Sequence, residues 1–121
     1  MPHLTLEYTT NLDRFSPDTA LASLNQAMLD SALFGESDIK SRAVAVSTFK
    51  VGVADAARAF IHIRCALLAG RSDEQRKALA ERLLAALQAT LATPFAGELQ
   101  LSVETLEIDR PSYAKAVIHG L

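Results

Sequence analysis

The residues with the most chemical promise are Pro2, directly ahead of an alternating segment, Lys40 and Arg42, two positions apart, and Arg71 in the turn sequence A-G-R-S. Removal of the initiator methionine would leave Pro2 with a free secondary amine, one of the few backbone groups able to act as a base near neutral pH. An α-amine titrates at about 7.7 to 8.0 and a prolyl amine is intrinsically more basic, so its pKa must fall before it can serve. Apolar burial and nearby cations both disfavour the ammonium form. Lys40, Arg42 and Arg71 could supply those cations and also clamp a dicarboxylate, each Arg with a bidentate fork and Lys with a point contact. Arg71 precedes a helix N-terminus, an unfavourable place for a cation unless something anionic is bound. For Lys40 and Arg42 the structural alternative is a pair of edge charges that discourage strand aggregation.

Other chemistries find less support. His3, His62 and His119 show no metal-ligand spacing, so no metal site is expected. His62, between Ile61 and Ile63, reads as a hydrogen-bonded structural histidine. There is no Gly-rich phosphate loop, G-x-S-x-G or C-x-x-C. Cys65 is the single cysteine; it excludes an internal disulfide, suits a reducing compartment and reads as an inert core residue. Twelve basic against fourteen acidic residues leave a formal charge of −2, too little to collect nucleic acid or anionic lipid. The N-terminus lacks a signal-peptide pattern and no apolar run approaches a membrane span, so a cytoplasmic protein is expected, with no membrane partner.

The elements that must position these groups follow from periodicity. Leu4, Leu6 and Tyr8 alternate with Thr5 and Glu7, which predicts a half-buried strand. Ser16 and Pro17 read as N-cap and first helical residue, followed by Leu21, Leu24, Ala27 and Met28 at helical spacing. A β-branched stretch predicts a second strand from Ile39 to Val51, and A-F-I-H-I-R-C-A-L-L a third, with Ile61, Ile63, Cys65 and Leu67 on one face. Ser72 with Gln75 forms a capping box for a second helix lined by Leu79, Leu83, Leu87 and Leu91 and ended by Pro94. E-L-Q-L-S-V-E-T-L-E-I is a fourth strand, and the residues after it form a short tail with a possible last helical turn.

The order is β-α-β twice, with landmarks at a nearly constant offset: 62 − 3 = 59 for His3 and His62, and 72 − 16 = 56 for the two N-cap serines. This predicts a duplicated βαβ unit, about 2–52 and 58–110 with a tail at 111–121, in one domain of 121 residues. The fold class is α/β (α+β), a four-stranded mixed sheet with two helices on one face. The opposite face would be bare, with Ala43, Ala45, Val44 and Val46 among its residues, and a second body is expected to cover it.

Taken together, Pro-His at positions 2 and 3 with Glu7, I-K-S-R at Ile39 to Arg42, A-F-I-H-I at Ala59 to Ile63 and A-G-R-S at Ala69 to Ser72 resemble the 5-carboxymethyl-2-hydroxymuconate isomerases of the tautomerase superfamily. The resemblance runs over nearly the whole chain. It implies a cofactor-independent enzyme whose terminal proline shuttles a proton between carbons of an unsaturated keto or enol acid, in bacterial breakdown of homoprotocatechuate. It also implies a homotrimer, with bare sheet faces packed around the three-fold axis. Pro2 then takes the place of the base, Arg71 that of the arginine expected to bind a substrate carboxylate, and Arg42 that of the second arginine in an I-R-S-R stretch. Lys40 departs from the first arginine of that pair, keeping the charge without the fork. Two alternatives stand beside this reading. One is a ferredoxin-like ligand-binding or regulatory domain, which shares the β-α-β-β-α-β order. The other is an inactive protein of tautomerase fold.

Overall fold

A computed structural model describes residues 1–91 and 95–120. Strand β1 (His3–Thr9) leads to helix α1 (Pro17–Asp30), and a 3-10 turn (Glu36–Asp38) enters strand β2 (Lys40–Val46). Strand β3 (Arg58–Leu68), helix α2 (Asp73–Thr90) and strand β4 (Glu98–Ile108) repeat the plan, and a last 3-10 turn (Arg110–Ser112) opens the tail. The sheet order is β2-β1-β3-β4, with β1 parallel to β2, β3 parallel to β4 and β1 antiparallel to β3. The two strands of each βαβ unit are therefore neighbours. A ferredoxin-like domain splits each unit around another strand, so that alternative is set aside.

Both helices begin as their residues dictate. Ser16 caps α1 by accepting from the Thr19 amide, with Pro17 in the first turn, where no N–H is missed. Ser72 and Gln75 form both arms of the capping box on α2, and Asp73 and Glu74 complement the dipole. Ala20, Leu24, Ala27 and Met28 of α1 and Leu79, Leu83 and Leu87 of α2 join Leu4, Leu6, Ile61, Ile63, Cys65 and Leu67 in one buried cluster. Both helices thus cover the same sheet face. Leu21 is only partly buried, and Ala20 takes the core position. Leu91 is the C-cap of α2 and packs on the edge of the core; the expected stop at Pro94 lies outside the described residues.

Two expectations need correction. Strand β2 ends at Val46, not Val51. Among the described residues it is an edge strand paired with β1 alone, and the ladder closes where Thr9 pairs with Val46 and the Thr10 amide reaches the Val46 carbonyl. Beyond that the described residues offer no ladder partner, and the chain departs through Gly52 at φ +68°. The second correction concerns the helix-free face. Ala43 and Ala45 pair with Leu6 and Tyr8 and so share the helix side, where Ala43 packs against the core. The open face carries Thr5, Glu7, Arg42, Val44, His62, Arg64, Ser102 and Glu104 by the same registers. It is mostly polar. His62 holds Ser102 Oγ through Nδ1 at 2.6 Å and donates from Nε2 to the Glu104 carboxylate at 2.5 Å.

Candidate active site

Pro2 is fully buried immediately ahead of β1. Proline lacks a ladder donor, so the first position of a strand is where a sheet tolerates it, and its carbonyl still accepts from the Lys40 amide at 3.2 Å. The residue is fixed to the sheet on one side. On the other, its nitrogen joins Met1.

The turn between β3 and α2 delivers Arg71 to this end of the sheet. Gly70, at φ +129°, makes that turn in a region an L side chain rarely adopts. The Arg71 guanidinium donates to the Leu68 carbonyl at 3.3 Å and the Leu33 carbonyl at 2.9 Å, and lies 4.9 Å over the Phe34 ring. Two of its five donors are thus used in orienting it, and the others stay available to an anion.

Lys40, paired with His3 across the β1–β2 ladder, donates from Nζ to the Asp38 carbonyl at 2.5 Å. Arg42 is paired two residues further along, with Thr5, and its Nη2 donates to His3 Nδ1 at 3.1 Å. Arginine only donates, so neutral His3 carries its proton on Nε2 and gives it to the Tyr113 hydroxyl at 3.3 Å. Burial holds His3 below its ordinary value, and Lys40 and Arg42 add to that effect.

The terminal amine reports the local field. Burial lowers the Met1 amine below its ordinary value, Arg71 lowers it further, and Lys40 and Lys115 contribute in the same sense against the opposing carboxylate of Asp38. Lys40 and Arg71 therefore both act at the N-terminus. Arg42 is not among the groups acting there; it acts on His3. Cys65 lies near enough to feel the amine and Arg71, yet burial dominates and pushes its thiol up to about 11. Its exclusion from chemistry is a matter of desolvation.

Three groups at this end were not singled out from the sequence: Asp38, Tyr113 and Lys115. Lys115 Nζ meets Asp38 Oδ1 at 2.8 Å although the residues are far apart in the chain. Asp38, two positions before Lys40, was a signal available in the sequence. Tyr113 and Lys115 had none, since no periodicity carries an irregular tail back to the first strand. Among the described residues no three His, Cys, Asp or Glu side chains converge as a metal site, and no helix is long and apolar enough to cross a membrane.

An amine at a strand end, beside cations that lower its pKa and so leave more of it unprotonated near neutral pH, suits proton transfer on an anionic substrate. Comparison with known proteins points the same way. The family model described as 5-carboxymethyl-2-hydroxymuconate isomerase matches residues 2–121. A 5-carboxymethyl-2-hydroxymuconate isomerase from Deinococcus radiodurans R1 is 34% identical, with TM-score 0.87 over 95% of this chain and 88% of that one. A native fused 4-OT (20% identity, TM-score 0.76, 93% of this chain and 91% of that one) and a fused 4-OT solved as an asymmetric trimer (19%, 0.72, 93% and 91%) share the fold. Among curated proteins no sequence matches.

Proposed function

Because the chain belongs to the 5-carboxymethyl-2-hydroxymuconate isomerase family, and with it is an isomerase of the tautomerase superfamily, we propose that Pro2, freed by removal of Met1, is its catalytic base. Neutral Pro2 nitrogen takes an acidic proton from an unsaturated keto or enol acid, leaving a dienolate and a prolinium. Arg71 and Lys40 bind a carboxylate and stabilise the developing oxyanion, and the prolinium returns the proton at a carbon further along. One proton moves and no net electrons are transferred. The amine and its cations suffice for that balance.

The observation that carries this reading is the placement of Pro2, fully buried ahead of β1 and bonded through its carbonyl to the Lys40 amide, at the sheet end to which the turn after β3 brings Arg71; burial and Arg71, then Lys40, also lower the Met1 amine there against Asp38. Arg42, held by His3 on the open sheet face, is kept as a substrate-binding residue and is not assigned to the base. We read residues 1–121 as one domain and the assembly as a homotrimer. Three fused 4-OT structures of the same fold are trimers, and the polar open face around His62, Arg64 and Glu104 offers hydrogen-bonding groups to a second copy. The substrate class is a carboxymethyl-hydroxymuconate or a close unsaturated diacid, which places the enzyme in cytoplasmic breakdown of aromatic compounds.

The test is the ultraviolet absorbance change of a hydroxymuconate with two forms of the protein, one starting at Pro2 and one with an extra residue ahead of it. General-base loss predicts a drop of about 10² to 10⁴ in kcat/KM for the extended form. Equal rates would overturn the assignment of Pro2.

A further inference from the structure

After β4 the chain does not leave the site but returns across it, tied at three points. Arg110 Nε donates to the Ala69 carbonyl, beside the turn that bears Arg71. The Tyr113 hydroxyl accepts from His3 Nε2 at 3.3 Å, next to Pro2, and the two rings meet edge to face. Lys115 Nζ reaches Asp38 Oδ1 at 2.8 Å, next to β2 and Lys40. Each anchor lies within two residues of Arg71, Pro2 or Lys40.

We propose that Lys115 is a substrate-binding residue of this site, a fourth cation beside Arg71, Lys40 and Arg42 that takes one carboxylate of a substrate bearing at least two. The inference rests on the proposed function and extends it. An ammonium has three donors. Asp38 accepts one, and another faces the Met1 thioether sulfur at 3.1 Å, a weak acceptor that does not satisfy a charged donor. Loss of Met1 removes that sulfur and leaves the donor without it. Lys115 also lowers the terminal amine and His3, so its charge is felt on both sides of Pro2.

The probes are cis,cis-muconate and its monomethyl ester, titrated calorimetrically into protein with a verified Pro2 terminus. Wild type is expected to bind the diacid about tenfold more tightly than the ester, the size of one charge-assisted hydrogen bond. Lys115→Met is expected to erase that ratio and Lys115→Arg to keep it. Asp38→Asn removes the same ion pair but retains the lysine, and is expected to keep the ratio. The proposal is overturned if Lys115→Met keeps the preference, if Asp38→Asn erases it equally, or if wild type shows none or binds neither probe. Because muconate binding needs no turnover, Lys115-dependent binding without isomerisation would defeat the proposed function and leave this inference standing.

Discussion

The Lys40 amide donates to the Pro2 carbonyl at 3.2 Å, so the residue proposed as base and the first cation beside it are joined by the opening hydrogen bond of the β1–β2 ladder. The distance between them is set by sheet geometry, which is stiffer than any loop. Arg71 arrives separately, from the end of β3 on the other side of β1, held by the carbonyls of Leu33 and Leu68.

That separation makes the role of Arg71 testable through pH. Arg71 lowers the terminal amine, after burial, and removing a nearby positive charge must raise the pKa of an amine. The ascending limb of kcat/KM in wild type is expected below the pKa of the same proline in an unstructured N-terminal peptide. Arg71→Gln should move that limb to higher pH as well as raising KM. A limb that stays in place, with only KM changed, would assign Arg71 to carboxylate binding alone.

His3 gives a second pH dependence, in stability. Its folded pKa lies below the ordinary 6.5, chiefly through burial and then Lys40 and Arg42. A depressed histidine binds fewer protons folded than unfolded, so its contribution is complete above the unfolded value and is lost as pH falls through the folded one. Protonation would also break the bond that Nδ1 accepts from Arg42. Thermal midpoints should decline as pH drops below about 6.5, and His3→Gln should flatten that part of the curve. Asp38, lowered from 3.8 by its Lys115 partner, adds its own loss only in the more acid range.

What the sequence disclosed follows the range of the forces involved. Ser72 with Gln75, Leu79 to Leu87 and the alternation Ile61, Ile63, Cys65, Leu67 are local patterns, and each took its predicted place. The end of β2 was not legible, because Phe49 and Val51 have strand-forming side chains and only the length of β1 denies them a partner. The assignment of Ala43 and Ala45 to the open face failed because pairing phase relative to β1, not composition, decides the side. At the site, Pro2, Arg71 and Lys40 were visible as residue types next to element ends. The return of Tyr113 and Lys115 was not, since those contacts tie the tail to His3 and Asp38, far off in the chain, through single side chains.

Cys65 offers a direct check on the core beneath the site. Its thiol is pushed up to about 11 by burial, so at pH 8 only about one molecule in a thousand would carry the thiolate. Titration with an aromatic disulfide reagent should give no reaction in native protein and one thiol in denaturant. Rapid reaction in the native state would mean that the sheet opens beside Pro2.

The two N-caps differ in a way that stability measurements can resolve. Ser72 makes both arms of its box, at 3.1 Å from Ser72 Oγ to the Gln75 amide and 3.0 Å from the Ser72 amide to Gln75 Oε1. Ser16 makes one such arm, at 3.3 Å to the Thr19 amide, and Pro17 already removes one orphan donor at that end. Ser72→Ala should therefore cost about 1 kcal/mol, and Ser16→Ala less. Leu83→Ala, in the sealed core under the same helix, should cost about 2 to 5 kcal/mol through lost transfer energy and the cavity left behind. Denaturant midpoints at constant slope will rank the three. Because Ser72 follows Arg71 directly, its loss should also raise KM, whereas Ser16→Ala, at the other helix, should leave KM unchanged.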